Sequence, residues 1–226
     1  MYKLFIANKN YSSWSLRPWL LLTELGIEFE EKLVSFADGG SWEKFREFSP
    51  TGQVPCLQDG ARTIWESLAI VEYLAERHAT VWPDDDDARA WARSAAAEMH
   101  AGFSALRNLC PMTVGLRIRL HEQPEVLQGD LDRLAELWNE GLSRIGGPFL
   151  AGNAFTAVDA FFAPVAFRLQ TYGLSLTGAA QDYTGHLLEQ PGMQAWQAAA
   201  LVESWREESH EEEIAALGEC LADLRG

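Results

Sequence analysis

Three serine hydroxyls lie near the start of the chain, where an apolar run gives way to a helical one. Ser12, Ser13 and Ser15 follow the apolar residues 4–7 and precede the leucine-rich residues 20–25. The first turn of a helix has unpaired N–H groups and a partial positive charge, so it can stabilise an anion, including a thiolate. A serine there can also simply cap the helix, which is the favoured interpretation of this stretch taken alone.

A second group, Gln53, Val54 and Pro55, stands at the head of a predicted strand. Proline cannot donate a hydrogen bond to a sheet, so this position is unusual for it. One arrangement that uses the proline is a cis Val54–Pro55 bond, which turns the N–H and C=O of Val54 toward a ligand. Cis is the minority form of such bonds, and the alternative is an edge strand that begins after the proline.

A third group, Glu66 and Ser67, lies where a predicted strand meets a predicted helix. The hydroxyl and the first-turn N–H groups can bind a carboxylate, and the Glu66 carboxylate can bind an ammonium group. The alternative is that both residues only stabilise the start of the helix.

The hydrophobic pattern predicts a small α/β domain over residues 1–78. Its predicted elements are a strand at 2–7, a helix at 17–25, a strand at 27–33, a loop at 38–40, a hairpin around Asp59-Gly60 and a helix at 66–77. Asp-Gly between two apolar runs is a strong hairpin signal. Pro18 is expected in the first turn of its helix, where its missing N–H matters least.

A predicted linker over residues 79–88 ends in four aspartates that suit the first turn of a new helix. From residue 89 the apolar residues recur at helical spacing, which predicts an all-helical, all-α domain over 89–226. Its later helices are predicted at 130–145, 157–171, 184–188 and 192–206, with a terminal helix at 211–224.

Composition limits the partners of the chain. The 33 acidic residues exceed the 18 basic ones and give a net charge of −15, which argues against nucleic acid or an anionic membrane as a main partner. The cysteines, Cys56, Cys110 and Cys220, are far apart and form no C-x-x-C. A disulfide framework, a metal site and a dithiol centre are therefore not expected. With no signal-peptide pattern and no membrane-length apolar run, a cytoplasmic protein is expected.

Taken together, the three groups change the interpretation of the serines. A serine at a strand-to-helix junction, a Gln-Val-Pro strand head and a Glu-Ser helix start occur in this order, followed by a helical domain. This arrangement resembles the glutathione S-transferase family over nearly the whole chain. It is most similar to the serine-type zeta and theta-like members and to a bacterial group that begins Asn-Tyr-Ser-Ser-Trp-Ser-Leu-Arg-Pro-Trp. The resemblance implies a thioredoxin-like N-terminal domain, a helical-bundle C-terminal domain, a homodimer and glutathione as co-substrate.

The resemblance also implies roles for the serines. Ser13 would donate a hydrogen bond to the glutathione sulfur, with Ser12 as the close alternative. Such a donor at a helix N-terminus lowers the pKa of the thiol. The thiolate would then attack a small hydrophobic electrophile in a pocket facing the helical domain.

Other positions are implied to hold the glutathione backbone. Val54 would pair with the cysteinyl backbone, with Pro55 cis, while Gln53 could reach a carboxylate. Glu66 and Ser67 would hold the γ-glutamyl end. The residue for the glycine carboxylate is expected near residues 42–44.

Two features of the second domain concern a helix start and the predicted second-substrate pocket. Thr156 and Asp159 form a predicted capping box at the start of a helix, which resembles a box in the same family. Arg168 and Tyr172 share a helix face at a spacing of four residues. With Tyr11 and Trp14 they are expected to line the second-substrate pocket, although they could instead only pack the helix surface.

Two features separate the chain from the zeta-type maleylacetoacetate isomerases, and one is that Pro18-Trp19 interrupts the arginine-rich continuation of their serine motif. The other is that these enzymes carry a cysteine after the paired serines, where this chain has Trp14. The favoured prediction is therefore a glutathione transferase. Glutathione-dependent isomerisation, and non-catalytic binding of glutathione or hydrophobic ligands, are the alternatives.

Overall fold

A four-stranded sheet forms the first part of the protein. The computed structural model describes residues 1–36 and 41–226, so the loop predicted at 38–40 lies outside the described residues. The elements are β1 (Tyr2–Ile6), α1 (Ser13–Glu24), β2 (Phe29–Leu33), α2 (Trp42–Arg46), β3 (Cys56–Asp59), β4 (Arg62–Trp65) and α3 (Ser67–Ala75). The strand order is β2-β1-β3-β4, with β1 parallel to β2 and antiparallel to β3, and β3 antiparallel to β4. The predicted α/β arrangement is confirmed.

Local sequence accounts for the elements that carry the predicted site. Leu4 and Ile6 of β1 are fully buried, as an apolar strand at the centre of a sheet requires. The turn between β3 and β4 has Gly60 at a φ of +59°, a conformation that glycine adopts without strain. The Val54–Pro55 bond is cis, and β3 begins directly after it.

Helix α1 begins four residues earlier than predicted. It starts at Ser13 rather than at residue 17, so Pro18 lies inside the helix and not in its first turn. Proline disfavours a helix interior, but Leu16 and Leu20 on this helix are fully buried. Packing of the apolar face provides most of the stability of a helix in a folded protein, so the helix continues through the proline.

The connection between the two parts is shorter than predicted. A 3₁₀ turn at Ala79–Val81 follows α3, and α4 (Asp86–Ala101) begins inside the predicted linker. Asp85 caps this helix by accepting a hydrogen bond from the Ala88 N–H at 2.8 Å, the role expected for the aspartates. The domain boundaries themselves, residues 1–78, 79–88 and 89–226, stay a prediction.

The second part is helical, as predicted, and carries one small sheet in addition. Its elements are α4, α5 (Ser104–Leu109), β5 (Leu116–Leu120), α6 (Glu125–Gly141), a π-helical turn (Leu142–Gly146), α7 (Ala157–Tyr172), α8 (Ala179–Leu188), α9 (Pro191–Leu201), α10 (Glu208–Leu217) and β6 (Gly218–Asp223). The prediction of an all-helical domain omitted the antiparallel pair β5 and β6. The predicted terminal helix at 211–224 is wrong after residue 217, because those residues pair with β5.

Helix α7 forms the centre of this part and joins it to the first. Nearly all of its residues are buried, and it packs against α1, α4 and α8. The predicted capping box is present: Asp159 accepts from the Thr156 N–H at 2.9 Å and from the Leu150 N–H at 3.0 Å. Within residues 1–36 and 41–226, none of the helices combines the length and the apolar character that crossing a bilayer requires.

Candidate active site

A cleft of about 800 Å³ lies between the two parts of the protein. Of the residues predicted for the site, eight line it: Tyr11, Ser12, Ser13, Trp14, Gln53, Val54, Glu66 and Arg168. Its other walls come from residues that the sequence analysis did not single out, including Phe36, Phe45, His100, Arg107, Asn108, Pro111, Met112, Glu207, His210 and Glu213. A second cleft of about 1020 Å³, around residues 144–156, contains none of the predicted site residues.

The hydrogen bonds of the two serines distinguish them. The Ser12 hydroxyl donates to Ser15 Oγ at 2.7 Å, so its proton is engaged inside the protein. Ser13 Oγ instead accepts from Arg168 Nη2 at 3.4 Å. The hydrogen bonds of the described residues include none that Ser13 Oγ donates, so its proton can point into the cleft. The geometry therefore favours Ser13 as the donor to a ligand.

The start of α1 is itself open to an anion. Ser12 occupies the N-cap position, yet among the described residues no side chain caps the helix. A helix start without a cap leaves N–H groups to be satisfied by water or a ligand. Ser13, the first residue of this 12-residue helix, lies at that point.

The start of α3 is a second place with unused polar groups. Glu66 has a φ of +76°, which is strained for a residue other than glycine, and such strain is concentrated at functional sites. Its carboxylate accepts from the Leu68 N–H at 3.2 Å and lies 3.3 Å from His100 Nε2. Ser67, also predicted for the site, is fully buried and is not among the residues that line the cleft. Its hydroxyl has no hydrogen-bond partner in the part of the chain that the structure describes.

The loop before β3 forms another part of the cleft wall. Gln53 and Val54 line the cleft here, whereas Pro55 is buried and does not line it. Gly52 has a φ of +66°, and a Cβ atom at this position would lie 2.6 Å from the Trp42 side chain. Among the residues expected to hold the glycine carboxylate, 42–44, only Trp42 lines the cleft.

Tyr172 does not line the cleft. It is buried, and its hydroxyl donates to the backbone carbonyl of Pro111 at 2.9 Å. Burial raises the pKa of this hydroxyl, with the nearby Cys110 adding to the effect. Tyr172 thus holds Pro111, a residue of the cleft wall, in place.

Three arginines lie near one another beside the cleft: Arg107 and Arg168 line it, and Arg17 of α1 is buried and does not. The guanidinium carbons of Arg17 and Arg107 lie 4.1 and 5.0 Å from the centre of the Trp14 ring. Burial, followed by the charges of Arg168 and Arg107, lowers the pKa of Arg17. Burial also lowers the pKa of Arg168, to about 10, which leaves it protonated at neutral pH. This wall is therefore cationic in a protein of net charge −15.

Helix α10 and the residue before it contribute side chains to the wall of the cleft. The Tyr11 hydroxyl donates to Glu211 at 2.5 Å, and Arg225 binds both Glu211 and Asp223. The ring of His210 stacks on Tyr11 with centroids 5.1 Å apart. Residues from α10 therefore become part of the site because Tyr11, beside the serines, anchors them.

No local signal pointed to these residues of α10. Their pattern is that of a polar, solvated helix end, and only its return to the N-terminal region gives them a place at the cleft. Among the residues that the structure describes, no cluster of three or more His, Cys, Asp or Glu side chains could hold a metal ion.

Comparison with known families and proteins identifies relatives of the chain. Residues 11–77 match the family model "Glutathione S-transferase, N-terminal domain", and residues 89–199 match "Glutathione S-transferase, C-terminal domain". The glutathione S-transferase-like protein OpS6 of Beauveria bassiana is 27% identical over 213 residues, covering 87% of this chain and 88% of that protein. A probable maleylacetoacetate isomerase of Caenorhabditis elegans is 27% identical, covering 74% of this chain and 78% of that protein.

A solved structure of a glutathione transferase homolog is also similar to this chain. The glutathione transferase homolog from Burkholderia GL BGR1, crystallised with bound glutathione, is 25% identical to this chain. It superimposes with a TM-score of 0.65, covering 88% of this chain and 97% of that one.

Proposed function

The chain belongs to the glutathione S-transferase family, and on that premise we propose that the cleft binds glutathione and presents its thiolate to an electrophile held beside Trp14. The observation that carries the proposal is the position of Ser13. Its hydroxyl lines the cleft at the uncapped start of α1, while the Ser12 hydroxyl is engaged with Ser15.

The chemistry follows from the state of the sulfur. A free cysteine thiol has a pKa of about 8.5, so little of it is ionised at neutral pH. A hydrogen bond from Ser13 and the positive end of α1 both favour the thiolate, which lowers the pKa and supplies the nucleophile. The sulfur then forms a bond to an electrophilic carbon, the leaving group departs with its electron pair, and the thiol proton passes to solvent.

Other residues hold the rest of glutathione. Glu66 and Ser67 bind the γ-glutamyl end, because a carboxylate and an unpartnered buried hydroxyl suit its ammonium and carboxylate groups. Val54 pairs with the cysteinyl backbone and Gln53 with a carboxylate. Both of these residues line the cleft.

The second substrate occupies the space beside the sulfur. Tyr11, Trp14 and Arg168 line this part of the cleft, and Tyr172 supports it through Pro111. The proposal includes a homodimer in the cytoplasm. All three cysteines are free thiols, which suits a reducing compartment.

Two measurements test the proposal: calorimetric titration with glutathione and conjugation of a neutral aryl halide. Binding with turnover is the expected result. Binding without turnover across a panel of electrophiles would instead indicate a non-catalytic glutathione-binding protein. Absence of binding would reject the glutathione site altogether. The 27% identity to a probable isomerase fits the isomerase alternative without favouring it, and a direct assay for glutathione-dependent isomerisation of maleylacetoacetate tests it.

A further inference from the structure

The cationic wall of the cleft consists of Arg107 and Arg168, and Arg17 of α1 is buried near them without lining the cleft. None of the three has a carboxylate within ion-pair distance in residues 1–36 and 41–226. Other arginines do have such partners, for example Arg93 with Glu72 and Arg133 with Glu98. The guanidinium groups at the cleft are thus among those of the described residues that have no carboxylate partner, and Arg168 is also almost fully buried.

The hydrogen bonds of these arginines leave donors unused. Arg107 donates to the backbone carbonyls of His100 and Gly102, each at 3.2 Å. Arg168 donates through Nε to the Cys110 carbonyl at 2.8 Å and through Nη2 to Ser13. Its Nη1 has no partner among the described residues, although Arg168 is only 5% exposed. A buried charged donor without a partner is costly, so a ligand that completes it is favoured.

The acidic residues that line the cleft form no ion pair with Arg107 or Arg168 in the described residues, although the charge of Glu66 acts on the buried Arg17. Glu66 lies 3.3 Å from His100 Nε2, and Glu207 lies 2.6 Å from His210 Nδ1. Each of these carboxylates thus faces a histidine. Glu213 belongs to α10, on the side that covers the cleft.

We propose that the electrophile taken by this cleft carries a carboxylate, and that Arg168 binds this carboxylate with Arg107 beside it. The proposal rests on the proposed function, because it places the anionic group next to the glutathione sulfur. Arg168 touches Ser13, so an anion on Nη1 lies close to the reacting atoms. A guanidinium suits a carboxylate because its planar set of donors matches two oxygens. A neutral aryl group can occupy the same place, but it leaves Nη1 of Arg168 without a partner and is therefore expected to bind less tightly than a carboxylated one.

A pair of glutathione thioethers tests this without any reaction. S-hexylglutathione and S-(5-carboxypentyl)glutathione differ in a terminal carboxylate, and neither has a thiolate. Calorimetry on the full chain should show the carboxylated compound binding more tightly, with the preference shrinking as salt is added. In Arg168→Gln, affinity for the carboxylated compound should fall by about tenfold or more, as for loss of a charged hydrogen bond. Affinity for S-hexylglutathione should change little.

Arg117→Gln is the matched control. Arg117 also has no carboxylate partner in the described ranges, bonds to backbone carbonyls and Gln170, and does not line the cleft. Arg117→Gln should leave the affinities for both compounds unchanged. Arg168→Lys should retain part of the preference for the carboxylated compound. The proposal would be overturned if Arg168→Gln lost affinity equally for both compounds, or if the wild type bound both compounds equally tightly. The wild-type comparison decides the matter even if the variant does not fold. Failure to bind either compound would reject the glutathione site instead.

Discussion

Arg168 Nη2 lies 3.4 Å from Ser13 Oγ, so a helix of the second part of the chain touches the first residue of α1. A hydroxyl that accepts a hydrogen bond from a cation becomes a better donor through its own proton. The contact therefore orients Ser13 and strengthens the hydrogen bond that it can offer to sulfur. It also explains why the site is complete only when both parts are folded together.

Ser13→Ala should slow conjugation of an aryl halide by roughly ten- to a thousandfold, as when one donor to a developing anion is removed. The pKa of the bound thiol should rise, because the thiolate loses a hydrogen bond. Ultraviolet titration of the thiolate measures the second effect. Ser12→Ala is the control, since that hydroxyl donates to Ser15 rather than into the cleft. If Ser12→Ala is the damaging change and Ser13→Ala is silent, the roles of the two serines must be exchanged.

Ser67→Ala should weaken glutathione binding by about tenfold or more, because a hydrogen bond to a charged group is lost. The same change should leave the stability of the free protein almost unaltered. The Ser67 hydroxyl has no partner within the described chain, so its removal breaks no internal bond. Calorimetry and urea denaturation measure the two quantities. Ser94→Ala, on the surface of α4, is the control and should change neither the affinity for glutathione nor the stability strongly. A large loss of stability in Ser67→Ala would show that the hydroxyl has a structural role.

Thr156→Ala should lower the free energy of unfolding by about 1 kcal/mol, the usual cost of a lost N-cap. Asp159→Asn should lower it further. Asp159 is fully buried and accepts hydrogen bonds from Leu150, Thr156 and Tyr183. In Asp159→Asn, the NH2 group of the amide would face N–H and O–H groups that are themselves hydrogen-bond donors. Urea denaturation of the two variants gives the order. Equal stability of Asp159→Asn and the wild type would contradict this role of the carboxylate.

Acid should release α10 from the cleft. Burial would raise the pKa of Glu211, but hydrogen bonds from Arg225 and Tyr11 outweigh it, so the pKa is lowered from its ordinary 4.5. A carboxylate with a lowered pKa stabilises the folded state above pH 4.5 and loses this contribution as pH falls through the lowered value. The protection factors of the α10 amides, which compare the exchange rate with the intrinsic rate at the same pH, should therefore be high at neutral pH and lower in acid.

Tyr11→Phe provides the corresponding variant, and it should speed exchange in α10 at neutral pH. Tyr73→Phe is a matched control, because it also removes a tyrosine–carboxylate bond, here to Asp59 at 2.7 Å, far from the end of the chain. Equal exchange in Tyr11→Phe and the wild type would show that the Tyr11–Glu211 bond does not hold α10.

Short-range patterns predicted the part of the site that depends on neighbours in sequence. Ser12 and Ser13 at a helix start, the turn at Asp59-Gly60 and the capping box at Thr156 each follow from a few adjacent residues. The first residue of α1 was predicted wrongly, because Pro18 suggested a first turn and only the burial of the surrounding leucines shows that the helix runs through it.

The rest of the site depends on contacts between distant residues. Arg168 reaches Ser13 across 155 positions, and Tyr11 reaches Glu211 across 200. Strand β6 exists because β5 offers it a partner about 100 residues earlier in the chain, at Arg119 and Glu219. No local periodicity encodes such pairings, so the helical pattern was extended too far.

The cationic wall lies inside a protein of net charge −15, and this has a consequence for the speed of capture. Glutathione is an anion at neutral pH, so the acidic exterior repels it at long range. The buried arginines attract it only within a screening length of about 8 Å at physiological salt. Association should therefore accelerate as ionic strength rises, the reverse of ordinary electrostatic steering. Stopped-flow recording of tryptophan emission, with Trp14 in the wall of the cleft, would follow this rate directly.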